Sequence, residues 1–249
     1  MAEVKVKVCG LTDADDALLA VELGAAMLGF NFYQCSPRYI APTQVRPIIA
    51  AMPVAIETVG VFVNATLEEI ASAVAASGIN AVQLHGDEPA EFCQRLKQRL
   101  GGVRVIKAFR TEPGFAPETA VHYPADAVLI DAACAGFGGS GIEADWERAR
   151  AVAALLPSAI LAGGLTADNV AAAIRQVRPG AVDVCSGVEA VKGRKDAFRM
   201  QQFFAAVRSA GSPARAVVAR VGDGATAEFR SESGDSPSIK VTNAKRSGL

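Results

Sequence analysis

Lys5-Val6-Lys7-Val8-Cys9-Gly10-Leu11-Thr12 opens the chain with an alternating strand pattern that stops at a thiol and a glycine. A helical pattern follows it at 14–23, and the same unit then recurs. Strands are predicted near 4–9, 27–32, 57–63, 80–84, 103–108, 127–131, 159–162 and 181–185. Alanine- and leucine-rich helices are predicted near 14–23, 43–51, 66–76, 88–100, 115–121, 145–155, 167–176 and 196–208. Most of the strands are continuous apolar runs, as expected when helices cover a parallel sheet. A doubly wound open sheet seldom keeps eight such units this regular. A closed (β/α)8 barrel does, and about 250 residues is its usual size. The fold expected is therefore an α/β TIM barrel, one domain over residues 1–210. From Gly211-Ser212-Pro213 onward the texture turns to Ser, Gly, Ala and Arg, and residues 211–249 are expected to form a mostly disordered C-terminal extension.

Bulk composition narrows the partners. The chain has 249 residues, 51% of them hydrophobic, with 25 Lys and Arg against 26 Asp and Glu. A net charge of −1 offers no basic face for nucleic acid. Five cysteines (Cys9, Cys35, Cys93, Cys134, Cys185) are scattered, odd in number and without C-x-x-C spacing. That usage fits reduced thiols in the cytoplasm rather than a disulfide framework or a metal cluster. No apolar signal core stands at the start, and no run approaches the roughly 20 residues that span a bilayer. The expected partner is a small phosphorylated molecule, without nucleic acid or membrane; nothing in the sequence speaks to oligomeric state.

In such a barrel the chemistry gathers where the strands end. Leu161-Ala162-Gly163-Gly164-Leu165-Thr166 ends the seventh strand and Val184-Cys185-Ser186-Gly187-Val188-Glu189 the eighth. Gly163, Gly164, Ser186 and Gly187 suit backbone cradling of an anion, and the loops after strands seven and eight are the common phosphate site of this barrel. Gly-Gly as an ordinary turn is the plainer alternative. Cys9 is either inert packing or a pocket thiol. Lys5 and Lys7 share its parity along the strand, and an ammonium beside it would favour thiolate. Asp131, ending Ala127-Val128-Leu129-Ile130, is a helix cap or a functional acid. Arg38, in Ser36-Pro37-Arg38-Tyr39, grips a carboxylate or sits in a solvated loop. His85, in Gln83-Leu84-His85-Gly86-Asp87, is an active-site donor or a loop cap. Trp146 is expected to pack a helix onto the barrel, and Gly136-Phe137-Gly138-Gly139-Ser140-Gly141 to form a closing loop.

Taken together, these segments resemble the phosphoribosylanthranilate isomerase family of tryptophan biosynthesis. The resemblance spans about residues 4–208. It rests on Lys5 through Thr12, Ser36 through Tyr39, Gly60-Val61-Phe62-Val63-Asn64, Val82 through Gly86, Leu129-Ile130-Asp131, Gly138 through Gly141 ahead of Asp145-Trp146, Ala162 through Leu165, and Val182 through Glu189. It implies a general base at Cys9, a general acid at Asp131, an arginine at Arg38 that meets the anthranilate carboxylate, and an active-site position at His85. It also places the substrate phosphate against Gly163-Gly164 and Ser186-Gly187. The implied reaction is an Amadori rearrangement of N-(5-phosphoribosyl)anthranilate that needs no cofactor and no metal. One departure stands out: the family usually has a lysine and a small polar residue after Gly141, where this chain has Ile142-Glu143. The competing expectations are another sugar-phosphate barrel isomerase and a non-catalytic phosphate-binding barrel.

Overall fold

A computed structural model describes residues 3–111, 114–132 and 146–210 of the chain. The extension expected over 211–249 and the closing loop expected over Gly136–Gly141 lie outside the described residues, as does Cys134.

Eight parallel strands close into a barrel in sequence order. They are β1 (Lys5–Val8), β2 (Met27–Asn31), β3 (Glu57–Phe62), β4 (Ala81–Leu84), β5 (Arg104–Arg110), β6 (Ala127–Asp131), β7 (Ile160–Ala162) and β8 (Ala181–Val184). Each of the first seven is followed by one helix: α1 (Ala14–Glu22), α2 (Pro42–Ala50), α3 (Leu67–Ser77), α4 (Ala90–Arg99), α5 (Pro117–His122), α6 (Trp146–Leu155) and α7 (Val170–Val177). A short hairpin, β9 (Glu189–Val191) with β10 (Arg194–Lys195), comes before the last helix, α8 (Ala197–Ala210). The barrel expected from the strand and helix patterns is the fold observed. The hairpin was not anticipated.

Ring closure is a parallel pairing of β1 with β8, with Lys5 opposite Ala181 and Val8 opposite Val184. It brings the first and last strands of the barrel side by side, so residues near position 9 face residues near 185.

Alternation along the strands builds two apolar layers. Val6, Val8, Leu28, Phe30, Val82, Leu84, Ile130 and Val182 point outward and pack under the helices. Met27, Val59, Ala81, Ile106, Ala108, Ala127, Leu129, Ile160, Ala162 and Ala181 fill the barrel interior. Trp146 packs, partly buried, against the outer layer as expected. The helices carry their own punctuation. At α3 the Thr66 hydroxyl accepts from the Glu69 N–H, and the Glu69 carboxylate accepts from the Thr66 N–H at 2.7 Å. This reciprocal cap is worth about 1 kcal/mol.

Interior parity also decides what stands above the apolar plug. Two residues beyond Lys7, Gln83 and Leu129, the next inward positions are Cys9, His85 and Asp131. All three stand at the C-terminal ends of their strands.

Candidate active site

One charge pair breaks the apolar interior. Lys7 is fully buried, and its Nζ donates to Asp183 Oδ1 on the neighbouring strand at 2.9 Å. Lys5, of the same parity, is exposed at the opposite end of β1. Taking an ammonium and a carboxylate out of water costs about as much as their attraction returns, so such a pair is poor evidence of a stabilising role. Its position is more informative, because Cys9 stands on the next inward position of β1. Burial works against the Lys7 ammonium, but Asp183 and the Cys9 sulfur outweigh it and hold the ammonium above its usual range. Burial pushes the Asp183 carboxyl up to about 6, with Lys7 pulling against it.

Cys9 extends the β1–β8 ladder by one residue: its N–H donates to the Val184 carbonyl at 2.9 Å. Its half-buried thiol is held well below the ordinary thiol range. The largest cause is the hydrogen bond from the Cys185 thiol. Burial opposes it, and the Lys7 and Lys195 ammoniums add to it. The same bond, then burial, pushes the Cys185 thiol well up. Two glycines make room for the sulfurs. A Cβ on Gly29 would lie 2.8 Å from Cys9 Sγ, and one on Gly10 would lie 2.9 Å from Cys185 Sγ.

The β9–β10 hairpin supplies a second ammonium. Lys195 is buried, and its Nζ donates to the Cys9 carbonyl at 2.6 Å, the Cys185 carbonyl at 3.1 Å and Glu189 Oε1 at 3.2 Å. One ammonium thus ties both sulfur-bearing residues to the segment beyond the barrel.

Arg38 makes a forked pair with Glu189, Nε to Oε1 at 2.8 Å and Nη2 to Oε2 at 2.7 Å. It is not the solvated loop arginine of the plainer reading. One edge of its guanidinium is spent on an internal carboxylate, which fixes the plane and leaves Nη1 to donate elsewhere. Burial would raise the Glu189 carboxyl, but Arg38 and Lys195 outweigh it and keep the carboxylate below its usual range.

Across the mouth, His85 Nε2 lies 3.6 Å from Asp131 Oδ2, both side chains about a quarter exposed. The amide nitrogen of buried Gln83 lies 2.8 Å from His85 Nδ1. As a donor it makes Nδ1 the acceptor and leaves the ring proton on Nε2, the side that faces Asp131. His85 also acts electrostatically on Asp183. Cys9, Lys7, Asp183, His85 and Asp131 therefore form a run of interacting groups over the top of the apolar plug.

The two glycine turns meet at a cavity of about 450 Å³, lined by Gly164, Thr166, Ala167, Asp168, Ser186, Gly187, Arg199 and Gln202. Gly163 and Gly164 both hold positive φ, 98° and 60°, a turn that L side chains resist. Ser186–Val188 form a single 3-10 turn. A Cβ on Gly187 would lie 1.9 Å from the Leu165 carbonyl oxygen, so the two turns touch through backbone alone. Arg199, on α8, adds a cation to the lining.

Sequence reasoning did not single out Gln83, Asp183, Cys185, Glu189, Lys195 or Arg199. Cys185 and Asp183 share the inward parity of Cys9, and that alternation is the one signal that could have found them.

A sequence model of N-(5'-phosphoribosyl)anthranilate (PRA) isomerase matches residues 6–206. The N-(5'-phosphoribosyl)anthranilate isomerase of Geobacter metallireducens is 45% identical over 201 residues, which are 80% of this chain and 96% of that protein. The crystal structure of phosphoribosyl anthranilate isomerase from Thermotoga maritima superposes with a TM-score of 0.76 at 41% identity, covering 83% of this chain and 99% of that one. Another, of phosphoribosyl anthranilate isomerase in complex with reduced 1-(o-carboxyphenylamino)-1-deoxyribulose 5-phosphate, gives 0.72 at 39% identity, covering 83% and 99%. With a match over nearly the whole barrel and identity far above what a shared fold alone requires, the chain belongs to the N-(5'-phosphoribosyl)anthranilate isomerase family.

Proposed function

We propose that the chain converts N-(5'-phosphoribosyl)anthranilate to 1-(2-carboxyphenylamino)-1-deoxyribulose 5-phosphate, with Cys9 as general base and Asp131 as general acid. The observation that carries this reading is the pairing at the barrel mouth. A thiol beside the Lys7 and Lys195 ammoniums stands just past the end of β1, and a carboxyl beside His85 ends β6.

Asp131 protonates the furanose ring oxygen. The C1–oxygen bond breaks, and the anthranilate nitrogen takes up the positive charge as a protonated imine. The Cys9 thiolate then removes the proton from C2, and the bonding pair moves into the imine. The enolamine so formed tautomerises to the ketone. The imine is the electron sink, so the proton transfers need no redox partner. Lys7 and Lys195 favour the thiolate between turnovers, and the remaining Arg38 nitrogen addresses the anthranilate carboxylate. The phosphate rests against Gly163-Gly164 and Ser186-Gly187, with Arg199 in reach. Binding at this remote end holds the sugar in register for both proton transfers.

The test is direct. Substrate carrying the fluorescent anthranilate ring is mixed with the full chain and loss of its emission is followed. Turnover supports the assignment, and an unchanged signal at micromolar protein defeats it. Gly187→Ala checks the phosphate end. The added methyl must push the two turns apart, and if about 1–3 kcal/mol of that overpacking falls on phosphate binding, KM rises roughly 5- to 150-fold. An unchanged KM moves the phosphate elsewhere. We also infer that residues 1–210 carry the whole reaction in a reducing cytoplasm. Removing 211–249 is then expected to leave kcat unchanged, and a fall in rate would show that the extension takes part.

A further inference from the structure

Cys185 has no place in the proton transfers just described, yet it stands opposite Cys9 across the β1–β8 seam, its thiol 3.9 Å from Glu189 Oε1. We propose that Cys9 and Cys185 form a reversible disulfide across the β1–β8 seam that switches the isomerase off, formed by exchange with a small-molecule disulfide. The loss of activity, though not the disulfide itself, rests on the reading of Cys9 as the base.

The geometry of the seam carries the proposal. The register Val8 opposite Val184, extended by the Cys9 N–H to Val184 carbonyl bond, brings Cys9 opposite Cys185. Adjacent strands lie about 4.8 Å apart, inside the roughly 4.4–6.8 Å Cα separation that disulfides span. Both residues are half-buried at the C-terminal end of the barrel strands. The Lys195 ammonium grips both carbonyls and holds the two residues in place. Gly29 and Gly10 leave the space beside each sulfur that a Cβ would fill. Cys93, by contrast, is fully buried and its thiol points to the Pro124 carbonyl.

The chemistry has a built-in order. The thiolate is the attacking form, and among this pair it is Cys9. Its sulfur attacks the small disulfide RSSR, forming a Cys9–SR bond and releasing RS⁻. The Cys9 negative charge is then gone, and with it the main cause that held the proton on Cys185. Lys195 and Arg38 remain beside Cys185 and favour its deprotonation. The Cys185 thiolate attacks the Cys9 sulfur and expels the second RS⁻. The leaving thiolates take up the protons, so two protein thiols are oxidised and one RSSR is reduced to two RSH. The base is consumed, and a reducing dithiol returns it by the reverse exchange.

The experiment uses the full chain with oxidised glutathione, followed by alkylation, proteolysis and mass spectrometry, with activity measured on the same samples. The expected result is a Cys9–Cys185 linked peptide pair without glutathione attached, loss of activity in step with that peptide, and recovery of both on adding dithiothreitol. Cys185→Ser, compared with its own reduced form, is expected to stop at a stable Cys9–glutathione adduct. Persistence of that adduct in the unsubstituted chain, with Cys185 still alkylated, overturns the proposal. So does recovery of both cysteines as free thiols after oxidation. A linked pair with full activity also overturns the switch, and it locates the error in the role of Cys9 rather than in the seam.

Discussion

Cys9→Ala is expected to lower kcat by about 10²–10⁴-fold, the usual contribution of a positioned general base. Binding of the reduced product analogue should change little, because the substitution removes one sulfur and leaves the phosphate end untouched. Steady-state kinetics and calorimetric titration on the same preparation check the two halves of the statement. Turnover within a factor of a few of the unsubstituted enzyme would assign the base elsewhere. The thiolate reading also has a sign in pH. The base acts deprotonated, so rate is lost as pH falls through the Cys9 titration, which lies well below the ordinary thiol range. Its largest cause is the Cys185 hydrogen bond. Cys185→Ala is therefore expected to move the acid limb of the kcat/KM profile to higher pH. A limb that stays in place would show that the lysines alone hold the thiolate.

Asp131→Asn is expected to cost a similar factor, about 10²–10⁴ in kcat. The amide keeps the size and the contact with His85 but cannot deliver a proton of useful acidity to the ring oxygen. Near-normal turnover in this variant would exclude Asp131 as the acid and make His85, 3.6 Å away, the group to test next. A rise in KM with kcat intact would instead mark Asp131 as a binding group.

Most of the barrel was legible because its strands are apolar runs and its helices alternate with them, α1 and α3 opened by the side-chain caps Asp13 and Thr66. All eight predicted strands overlap observed ones, with ends that coincide or differ by at most two residues. Ala197–Ala210 runs two residues past its expected end, where Ala210 continues the buried stripe of Phe203, Phe204 and Val207. The hairpin was not legible. Its strands are three and two residues long, and exposed Ala190, Val191 and Lys192 show no period. Cys9, Asp131, Arg38 and His85 each stood out as a reactive group at a strand end. Their neighbours did not, because those contacts are long-range: Arg38 meets Glu189 at 151 residues' separation and Lys7 meets Asp183 at 176. Lys195 reads as a surface lysine after a Gly193 turn, and only the closed ring reveals it as buried.

That closure has a consequence for how the protein comes into being. The thiol at position 9 is synthesised well before Asp183, Cys185, Glu189 and Lys195, which follow the seventh strand and helix. Until they arrive, the sulfur has only Lys7 of its own strand to favour the thiolate, without Cys185 or Lys195, and Arg38 has no Glu189 carboxylate to set its plane. A polypeptide ending before β8 thus lacks both the strand that closes the ring and the groups that complete the thiol's surroundings. The complete set of groups around the sulfur exists only once β8 and the hairpin beyond it have met β1.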